Sequence, residues 1–284
     1  MKTRLFIIIF AAALGCLTLR AQSEGDAFLA KYQRQIRNVG AAGVGVQTIV
    51  DNWIAACPDD ARAYEARFSY CFEKSRSTEI QQKDRERYLG QKPVLTLKDS
   101  TLRDVNYFQE DVFTDSLFAS CLTAIDKAIS LKPLELRYHF DKITAMLSYE
   151  KESPDLSYSL VNSLIDSFVK NKGADWTLDL QALPEDKDEV FCQCIGEFCY
   201  TFFQVGSPLS YRYFLALSEK MNKLYPKNTV FLDNIGSYWQ VAERNDKKAL
   251  KYYKKALKID PQDYAALNNI RIINRRKAAS STRP

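Results

Sequence analysis

Three of the seven cysteines lie close together in this 284-residue sequence and are the residues that most suggest chemistry. Cys192, Cys194 and Cys199 could supply thiolates to a zinc ion, which needs four ligands that converge in a tetrahedron. On a helix, however, Cys192 and Cys194 point to nearly opposite sides, and Cys192 lies about 10 Å from Cys199 along the axis. The same spacing excludes a disulfide among them, because bridged cysteines have Cα atoms within about 7 Å. We therefore predict buried thiols, no metal and no cofactor, with a bridge to a cysteine on another helix as the alternative.

His139 is the only histidine, so a histidine-rich zinc site and any mechanism with two imidazoles are excluded. As a general base for a cysteine or serine nucleophile, His139 would need a carboxylate to orient it, such as Glu135 or Asp141. No serine stands in the glycine-flanked turn that exposes the nucleophile of many hydrolases. We predict that the protein has no catalytic residues and is not an enzyme, with a thiol-dependent enzyme as the alternative.

The first 21 residues have the composition of a secretory signal peptide. Lys2 and Arg4 precede an apolar run, and Ala21 offers a small residue at a cleavage point before polar sequence. The run is shorter than the roughly 20 apolar residues that a membrane-spanning helix needs. We therefore predict cleavage after Ala21 and a periplasmic or secreted protein of Gram-negative envelope type. The alternative is a membrane-anchored lipoprotein, because the sequence up to Cys16 resembles a bacterial lipobox, although Ala13 stands where leucine is usual.

Charge is distributed unevenly along the chain. The net charge of +5 falls to +2 without residues 1–21, and residues 244–284 carry +9 while residues 22–243 carry −7. Lysines at the basic end have helical spacing, which is typical of a solvated helix face and could also attract an acidic partner or anionic lipid. Because export separates the protein from nucleic acid, we predict no nucleic-acid partner, and a membrane contact only if Cys16 is lipidated. These lysines are Lys247, Lys248, Lys251, Lys254, Lys255 and Lys258.

Apolar residues recur three and four positions apart through most of the chain, as in Leu160, Leu164 and Phe168. This period predicts amphipathic helices. A pair of such helices cannot bury its apolar side alone, so the pairs are expected to stack. The predicted pairs are 24–38 with 44–57, 60–75 with 114–131, 135–151 with 155–171, 186–204 with 208–225, and 228–243 with 246–259.

The clearest repeat runs over residues 229–261. Gly236 and Ala256 are small residues at points where two helices would approach closely, Trp239 would fill the space between the helices, and Pro261 follows the second helix. This segment resembles a tetratricopeptide repeat. The resemblance implies an all-α, tetratricopeptide-like superhelix of helix-turn-helix pairs. Its parts are a repeat domain at 22–277, a capping helix at 262–277 within that domain, and a disordered tail at 278–284.

Residues 76–113 do not fit a repeat. Short alternating runs flank a turn rich in Asp, Ser and Thr, which predicts a small β-hairpin at about residues 90–110. A hairpin of this size must lean on the helices, since it is unstable alone. It is either a decorative insertion or an element that adds specificity beside a binding groove.

In tetratricopeptide repeats the first helix of each pair lines a concave groove, so the resemblance implies a set of groove residues. Asparagine there suits an extended peptide backbone, because its side chain both donates and accepts hydrogen bonds. The alternative is that these asparagines bind adjacent helices. Asp233 stands where a carboxylate clamp would need a cation, so we expect a neutral or cationic segment. The groove residues are Asp233, Asn234, Ser237, Gln240, Asn268 and Asn269.

Together these features predict an exported, non-enzymatic scaffold that binds a protein or peptide partner through its concave groove. The alternative is an envelope lipoprotein that aids the assembly of the outer membrane or of a surface glycan. The sequence does not identify the partner.

Overall fold

A computed structural model describes residues 24–281 of the chain, which are mostly helical. The predicted signal peptide at 1–21, its cleavage point Ala21 and the lipidation site Cys16 lie outside the described residues. The helices are α1 (residues 24–39), α2 (Val46–Ala56), α3 (Ala61–Ser75), α4 (Asp115–Leu131), α5 (Leu136–Glu150), α6 (Asp155–Lys170), α7 (Lys187–Val205), α8 (Pro208–Leu224), α9 (Thr229–Val241), α10 (Asp246–Ile259) and α11 (Tyr264–Ser281).

Polar residues fix where several helices begin. Asp60 accepts a hydrogen bond from the Arg62 backbone N–H at 3.1 Å at the start of α3, and Asn245 accepts one from the Lys248 N–H at 3.0 Å before α10. These bonds satisfy N–H groups that have no partner within the first turn of a helix. Ser207 does the same for α8, whose first residue is proline. The fixed φ of proline is already suited to that position.

Two small β-structures interrupt the helices. A three-stranded sheet has the order β1 (Arg76–Lys83), β3 (Asp104–Phe113), β2 (Leu95–Lys98), and β4 (Thr177–Leu178) pairs with β5 (Gln181–Ala182). The predicted hairpin corresponds to β2 and β3, which pair from Leu95 with Tyr107 to Lys98 with Asp104. Strand β1 was not predicted, because its residues are mainly polar and exposed and show no alternation. Strands β4 and β5 were not predicted either, because they are two residues each.

The described chain divides into two compact units, and each is built from more than one stretch of sequence. Unit 1 comprises residues 24–79, 110–145 and 174–182, and holds α1 to α4, most of α5 and the β4–β5 hairpin. The helices α3 and α4 pack along one another, and Trp53 is fully buried in a core with Val46 and Val50. Phe28 of α1 stacks on Trp53 with ring centroids 6.3 Å apart.

Unit 2 comprises residues 80–109, 146–173 and 183–281 of the described chain. Its helices α7 to α11 pack in succession, and α9 and α10 form the clearest helical hairpin. Ala249, Tyr253 and Ala256 are fully buried between α9, α10 and α11. This arrangement confirms the small residues as packing positions and α11 as a helix that covers the last pair.

The predicted fold class, all-α with helix pairs, a small β insertion and a C-terminal capping helix, is confirmed. Observed helix bounds lie within two residues of the predicted ones, except at the C-terminal end. There α11 continues to Ser281, past residue 277, where we predicted that a disordered tail begins. Within residues 24–281, no helix is both long and apolar enough to cross a membrane.

Candidate functional site

A cavity of about 450 Å³ opens in unit 1 on the side formed by first helices of the pairs. The helices α1, α3 and α5 line it together with the turn between β4 and β5, and the second helices α2 and α4 contribute no lining residue. We call it the first-helix cavity. Its lining residues are Leu29, Tyr32, Gln33, Ile36, Arg62, Glu65, Ala66, Ser69, Glu135, Arg137, Tyr138, Asp179 and Leu180.

Glu135 fastens the β4–β5 hairpin to the start of α5. Its carboxylate is buried and accepts hydrogen bonds from Thr177 Oγ1 at 2.6 Å and from the Leu180 N–H at 2.8 Å. It also accepts one from the Arg137 backbone N–H at 3.0 Å. A buried carboxylate needs such donors to offset the loss of water. Glu135 therefore holds the hairpin wall of the cavity in place, together with a backbone bond from the Thr177 N–H to the Leu134 carbonyl at 3.0 Å.

The turn between β4 and β5 holds two non-glycine residues in the left-handed backbone region. Asp179 has φ 54° and Leu180 has φ 62°. This conformation suits a two-residue hairpin loop but costs a residue with a Cβ about 1–2 kcal/mol. The Leu180 N–H bond to Glu135 holds the strained residue in place. Its side chain, 36% exposed, forms one edge of the cavity.

Both arginines in the cavity already have carboxylate partners. Arg62 pairs with Asp26 at 2.7 Å and with Asp60 at 2.8 Å. Arg137 donates two hydrogen bonds to Asp179, from Nε at 2.6 Å and from a terminal nitrogen at 3.0 Å. Such two-pronged contacts are the strongest geometry for this pair. The guanidinium groups are therefore neutralised within the cavity wall.

Glu65 differs from the other charged residues of the cavity. Among the described residues, no hydrogen bond or ion pair reaches its carboxylate. Burial, together with the negative charges of Asp141, Glu135 and Asp179 and against the attraction of Arg137, raises the pKa of Glu65 to about 7. Burial likewise raises the pKa of Asp141 to about 6. Glu65 is thus a lining carboxyl group of the cavity without an ion-pair partner among the described residues.

Tyr138 presents a second unmatched group in the same cavity. The residue is 1% exposed, and its hydroxyl is buried with no hydrogen-bond partner in the described part of the chain. Burial, followed by the charges of Glu65 and Glu135, raises the pKa of this phenol above its usual range. An unpaired buried hydroxyl costs free energy that a bound polar group would recover.

The groove residues predicted from the resemblance lie in unit 2, on α9 and α11. Asp233 and Gln240 are buried, at 6% and 9% exposure. Gln240 accepts a hydrogen bond from the Tyr253 hydroxyl at 2.7 Å, and Ser237 Oγ lies 3.3 Å from the oxygen of that hydroxyl. These side chains contact α10 within the helix pair, where they satisfy the buried phenol of Tyr253.

Asp233 faces a second carboxyl group, that of Asp263 at the start of α11. Burial, followed by the charge of Asp263 and a hydrogen bond with it, raises the pKa of Asp233 to about 8. The pKa of Asp263 is lowered, although burial opposes this, because the Ala266 N–H, the Thr229 side chain and Asp233 donate to it. At neutral pH Asp233 is therefore protonated and links α9 to α11.

The three asparagines are half-buried and are not drawn into one cavity. Asn268 accepts a hydrogen bond from Arg271 at 2.6 Å. The Nδ2 of Asn234 is buried without a partner in the described residues, and Asn269 lies one turn away from the start of α11. The role of Asn234 and Asn269 in binding stays a prediction.

The cysteines and His139 are arranged for packing. Burial raises the pKa of the thiols of Cys57, Cys71, Cys121, Cys192 and Cys199, and the cysteines of residues 24–281 form no disulfide with one another. The Nε2 of His139 bonds to the Pro133 carbonyl oxygen at 2.9 Å, and burial lowers the pKa of its ring. In the described part of the chain, no cluster of three or more His, Cys, Asp or Glu could hold a metal ion.

A second cavity, of about 560 Å³, lies in unit 2 beside the end of α7 and the start of α8. Arg85 pairs there with Glu152, and Arg87 donates to the Gly90 carbonyl at 3.2 Å. Ser207 Oγ donates to the Glu152 carbonyl at 2.9 Å. The charged side chains of this cavity thus have an ion-pair or hydrogen-bond partner, in contrast to Glu65 in unit 1.

No known family model and no curated protein matches the chain. Solved structures to which it is similar include the crystal structure of MamA protein, at 10% identity over 85% of this chain and 94% of that one, with a TM-score of 0.42. A MamA structure from Desulfovibrio magneticus RS-1 covers the same share of this chain and 97% of its own, at 11% identity and a TM-score of 0.39. The tetratricopeptide-repeat domain of P58(IPK) is 15% identical over 93% of this chain and 66% of its own, with a TM-score of 0.27.

Proposed function

We propose that the protein is an exported, non-enzymatic scaffold that binds an extended segment of a partner protein on the face formed by its first helices. The observation that carries this proposal is the first-helix cavity, which α1, α3 and α5 line without any residue of α2 or α4. Three successive first helices that open onto one cavity are what a peptide-binding groove in a helical repeat requires. The site is thus in unit 1, whereas the resemblance directed attention to α9 and α11.

The absence of catalysis is part of the proposal and rests on the thiols and the histidine. A nucleophilic cysteine needs a lowered pKa and access to solvent. Burial instead raises the pKa of Cys121 and Cys192. His139, which would have to act as the base, donates a hydrogen bond from its Nε2–H to the Pro133 carbonyl oxygen. These features favour a binding protein over a thiol-dependent enzyme.

Export is proposed from residues 1–21 alone. Intact-mass measurement of the protein from envelope fractions distinguishes two forms of it. A chain that begins at Gln22 supports signal cleavage after Ala21 and a periplasmic or secreted protein. A chain that begins at an acylated Cys16 establishes the membrane-anchored lipoprotein, for which a role in outer-membrane or surface-glycan assembly is the alternative function.

Site-specific photocrosslinking in the native cell tests the binding face. A benzoylphenylalanine is placed at Gln33, an exposed residue of α1 at the cavity, and at Asn52, an exposed residue of the second helix α2, as the matched control. We expect a discrete crosslinked partner from position 33 and none from position 52. Equal crosslinking from both positions, or crosslinking from position 52 alone, would contradict the proposal.

A further inference from the structure

The charge balance of the first-helix cavity is incomplete. Arg62 and Arg137 are occupied by Asp26, Asp60 and Asp179, and Glu135 accepts three hydrogen bonds. Glu65 is the lining carboxylate left without such a partner in the described residues. Water-excluding walls strengthen every electrostatic interaction inside a cavity. The group that would restore the balance is therefore a cation.

Tyr138 supplies the second and independent observation. Tyr138, whose hydroxyl is buried and unpaired in the described residues, belongs to the lining of the same cavity as Glu65. A phenol oxygen accepts hydrogen bonds, so it can accept one from an N–H of an ammonium or guanidinium group. An entering cation would favour the ionised form of the Glu65 carboxyl group and find a neutral acceptor in Tyr138.

We propose that the first-helix cavity receives the cationic side chain of the partner segment, a lysine or an arginine, with Glu65 as its ion-pair partner and Tyr138 Oη as a hydrogen-bond acceptor. This inference rests on the proposed function, because it specifies the chemistry of the segment that the scaffold binds. Glu65 would make the cavity selective for cationic side chains, and a groove that binds carboxylates would not contain such a residue.

The apolar part of the lining suits the rest of such a side chain. Leu29, Tyr32, Ile36, Ala66 and Leu180 supply the apolar surface of the lining. Lysine and arginine bury their methylene stems along apolar surface while their charged heads reach polar groups. A small metal ion would gain nothing from this apolar surface, and calcium needs six to eight oxygen ligands.

Peptide selection on the full chain tests the inference. A library of peptides with eight random residues and blocked ends, displayed on messenger RNA, is selected on the immobilised wild-type protein. The same selection is made on Glu65→Gln, on Tyr138→Phe, and on Glu73→Gln as a matched control on α3 outside the cavity. Melting of each variant establishes that it is folded.

We expect enrichment of lysine or arginine at one position of the selected peptides on the wild type and on Glu73→Gln. Glu65→Gln should lose this preference and bind the best peptide about tenfold or more weakly, because the charge pair is removed while the shape is kept. Tyr138→Phe should weaken binding by a smaller factor. Replacement of the enriched residue in the peptide by norleucine or citrulline should have the same effect as Glu65→Gln.

Three results would overturn the inference. Enriched peptides without a cationic position would show that the cavity does not select a cation, and the proposed function as a peptide-binding scaffold would still hold. Absence of any enriched peptide would also overturn it, and crosslinking from position 33 would then decide the scaffold separately. Binding of free n-butylammonium or n-propylguanidinium as tight as that of the best peptide, and equally dependent on Glu65, would identify a small amine as the ligand instead of a protein side chain.

Discussion

The ring of Tyr253 on α10 lies directly against the backbone of Gly236 on α9. A Cβ added at Gly236 would lie 2.4 Å from Cε1 of that ring, closer than any tolerated contact. The ring cannot move away freely, because it is fully buried and its hydroxyl donates to Gln240 at 2.7 Å. Glycine at this position is therefore a condition for the close packing of the last helix pair.

Gly236→Ala should lower the free energy of unfolding by about 1–3 kcal/mol, the usual cost of overpacking a close contact. Thermal melting followed by circular dichroism measures it. Gly173→Ala is the matched control, since a Cβ there meets nothing within 4 Å. An unchanged melting temperature for Gly236→Ala would show that α9 and α10 are not in this register.

Replacement of Asp233 by asparagine should reduce the loss of stability that occurs when the pH is raised into the alkaline range. The folded pKa of about 8 lies above the ordinary value of 3.8, so the folded form keeps a proton that the unfolded form has lost. The free energy of unfolding therefore falls as pH rises towards and through 8. Asp263 at the start of α11 and Tyr253 of α10 are the titratable groups that face Asp233.

Asp233→Asn retains an N–H donor towards Asp263 and removes the charge that forms at high pH. At pH 9 the variant should be more stable than the wild type by an amount on the order of 1–2 kcal/mol. Denaturant unfolding at pH 6 and pH 9 measures the difference. Asp246→Asn, which alters an ion pair near the surface, is the control and should show no such dependence. If Asp233→Asn differed from the wild type in stability by the same amount at pH 6 and at pH 9, the proposed sharing of a proton between Asp233 and Asp263 would be contradicted.

Glu65→Gln should increase stability at pH 8 and leave it nearly unchanged at pH 5. The folded pKa of about 7 exceeds the ordinary value of 4.5, so stability falls as pH rises from 4.5 through 7. The charged groups that face Glu65 are Asp141, Glu135, Arg137 and Asp179, and glutamine removes the repulsion by the three carboxylates. The expected gain at pH 8 is on the order of 1–3 kcal/mol.

Denaturant unfolding at the two pH values measures this gain, with Glu73→Gln as the control on the same helix. A stabilised variant that no longer binds a cationic peptide would show that Glu65 is kept for binding at a cost in stability. Destabilisation at pH 8 would mean that the Glu65 carboxylate has a stabilising partner in the free protein.

Leu180→Gly should relieve backbone strain at the cavity edge and weaken peptide binding. Glycine adopts the φ of 62° without the Cβ clash, so stability should be unchanged or should rise by up to about 1 kcal/mol. The lost leucine side chain removes an apolar edge of the cavity. Melting and peptide affinity are measured together.

Leu102 offers a closely matched control, because it has the same φ of 62° and is 78% exposed in the turn between β2 and β3. Leu102→Gly should change stability in the same direction with no effect on peptide affinity. If both variants bind peptide as the wild type does, Leu180 is not part of the binding surface.

The thiols should react slowly in the native protein. Burial raises the pKa of Cys57, Cys71, Cys121, Cys192 and Cys199, and a thiol reacts with iodoacetamide only as the thiolate. At pH 7 we expect these positions to be labelled only after unfolding in guanidinium chloride, as measured by peptide mass. Rapid labelling of one of them in the native protein would favour the alternative function, a thiol-dependent enzyme.

The helices were predictable because their signals are local. Apolar spacing within a helix, such as Leu160, Leu164 and Phe168, fixes the element and its buried face without any knowledge of its neighbours. The turn of the β2–β3 hairpin was visible for the same reason: Asp99 accepts hydrogen bonds from the N–H groups of Thr101 and Arg103. Sequence alone therefore located most of the fold.

The cavity was not predictable because its contacts join distant residues. Glu135 and Thr177 are 42 residues apart, and the hairpin that carries Thr177 has strands of two residues each. Nothing local indicates that Glu65 and Tyr138 share a cavity. Asp233 was assigned to the groove because it stands at a position that points inward in tetratricopeptide repeats. Its burial requires the second carboxyl group of Asp263, which only the folded helix pair brings close.

The interrupted sequence of unit 1 imposes an order on its formation during synthesis. The helices α1 to α4 leave the ribosome well before residues 174–182, which complete the unit. Until Thr177 and Leu180 reach Glu135, the cavity lacks its hairpin wall and Glu135 lacks two of its donors. A growing chain folds in the order in which it emerges. The binding surface is therefore complete only once residues 174–182 have joined α1 to α5, late in the formation of unit 1.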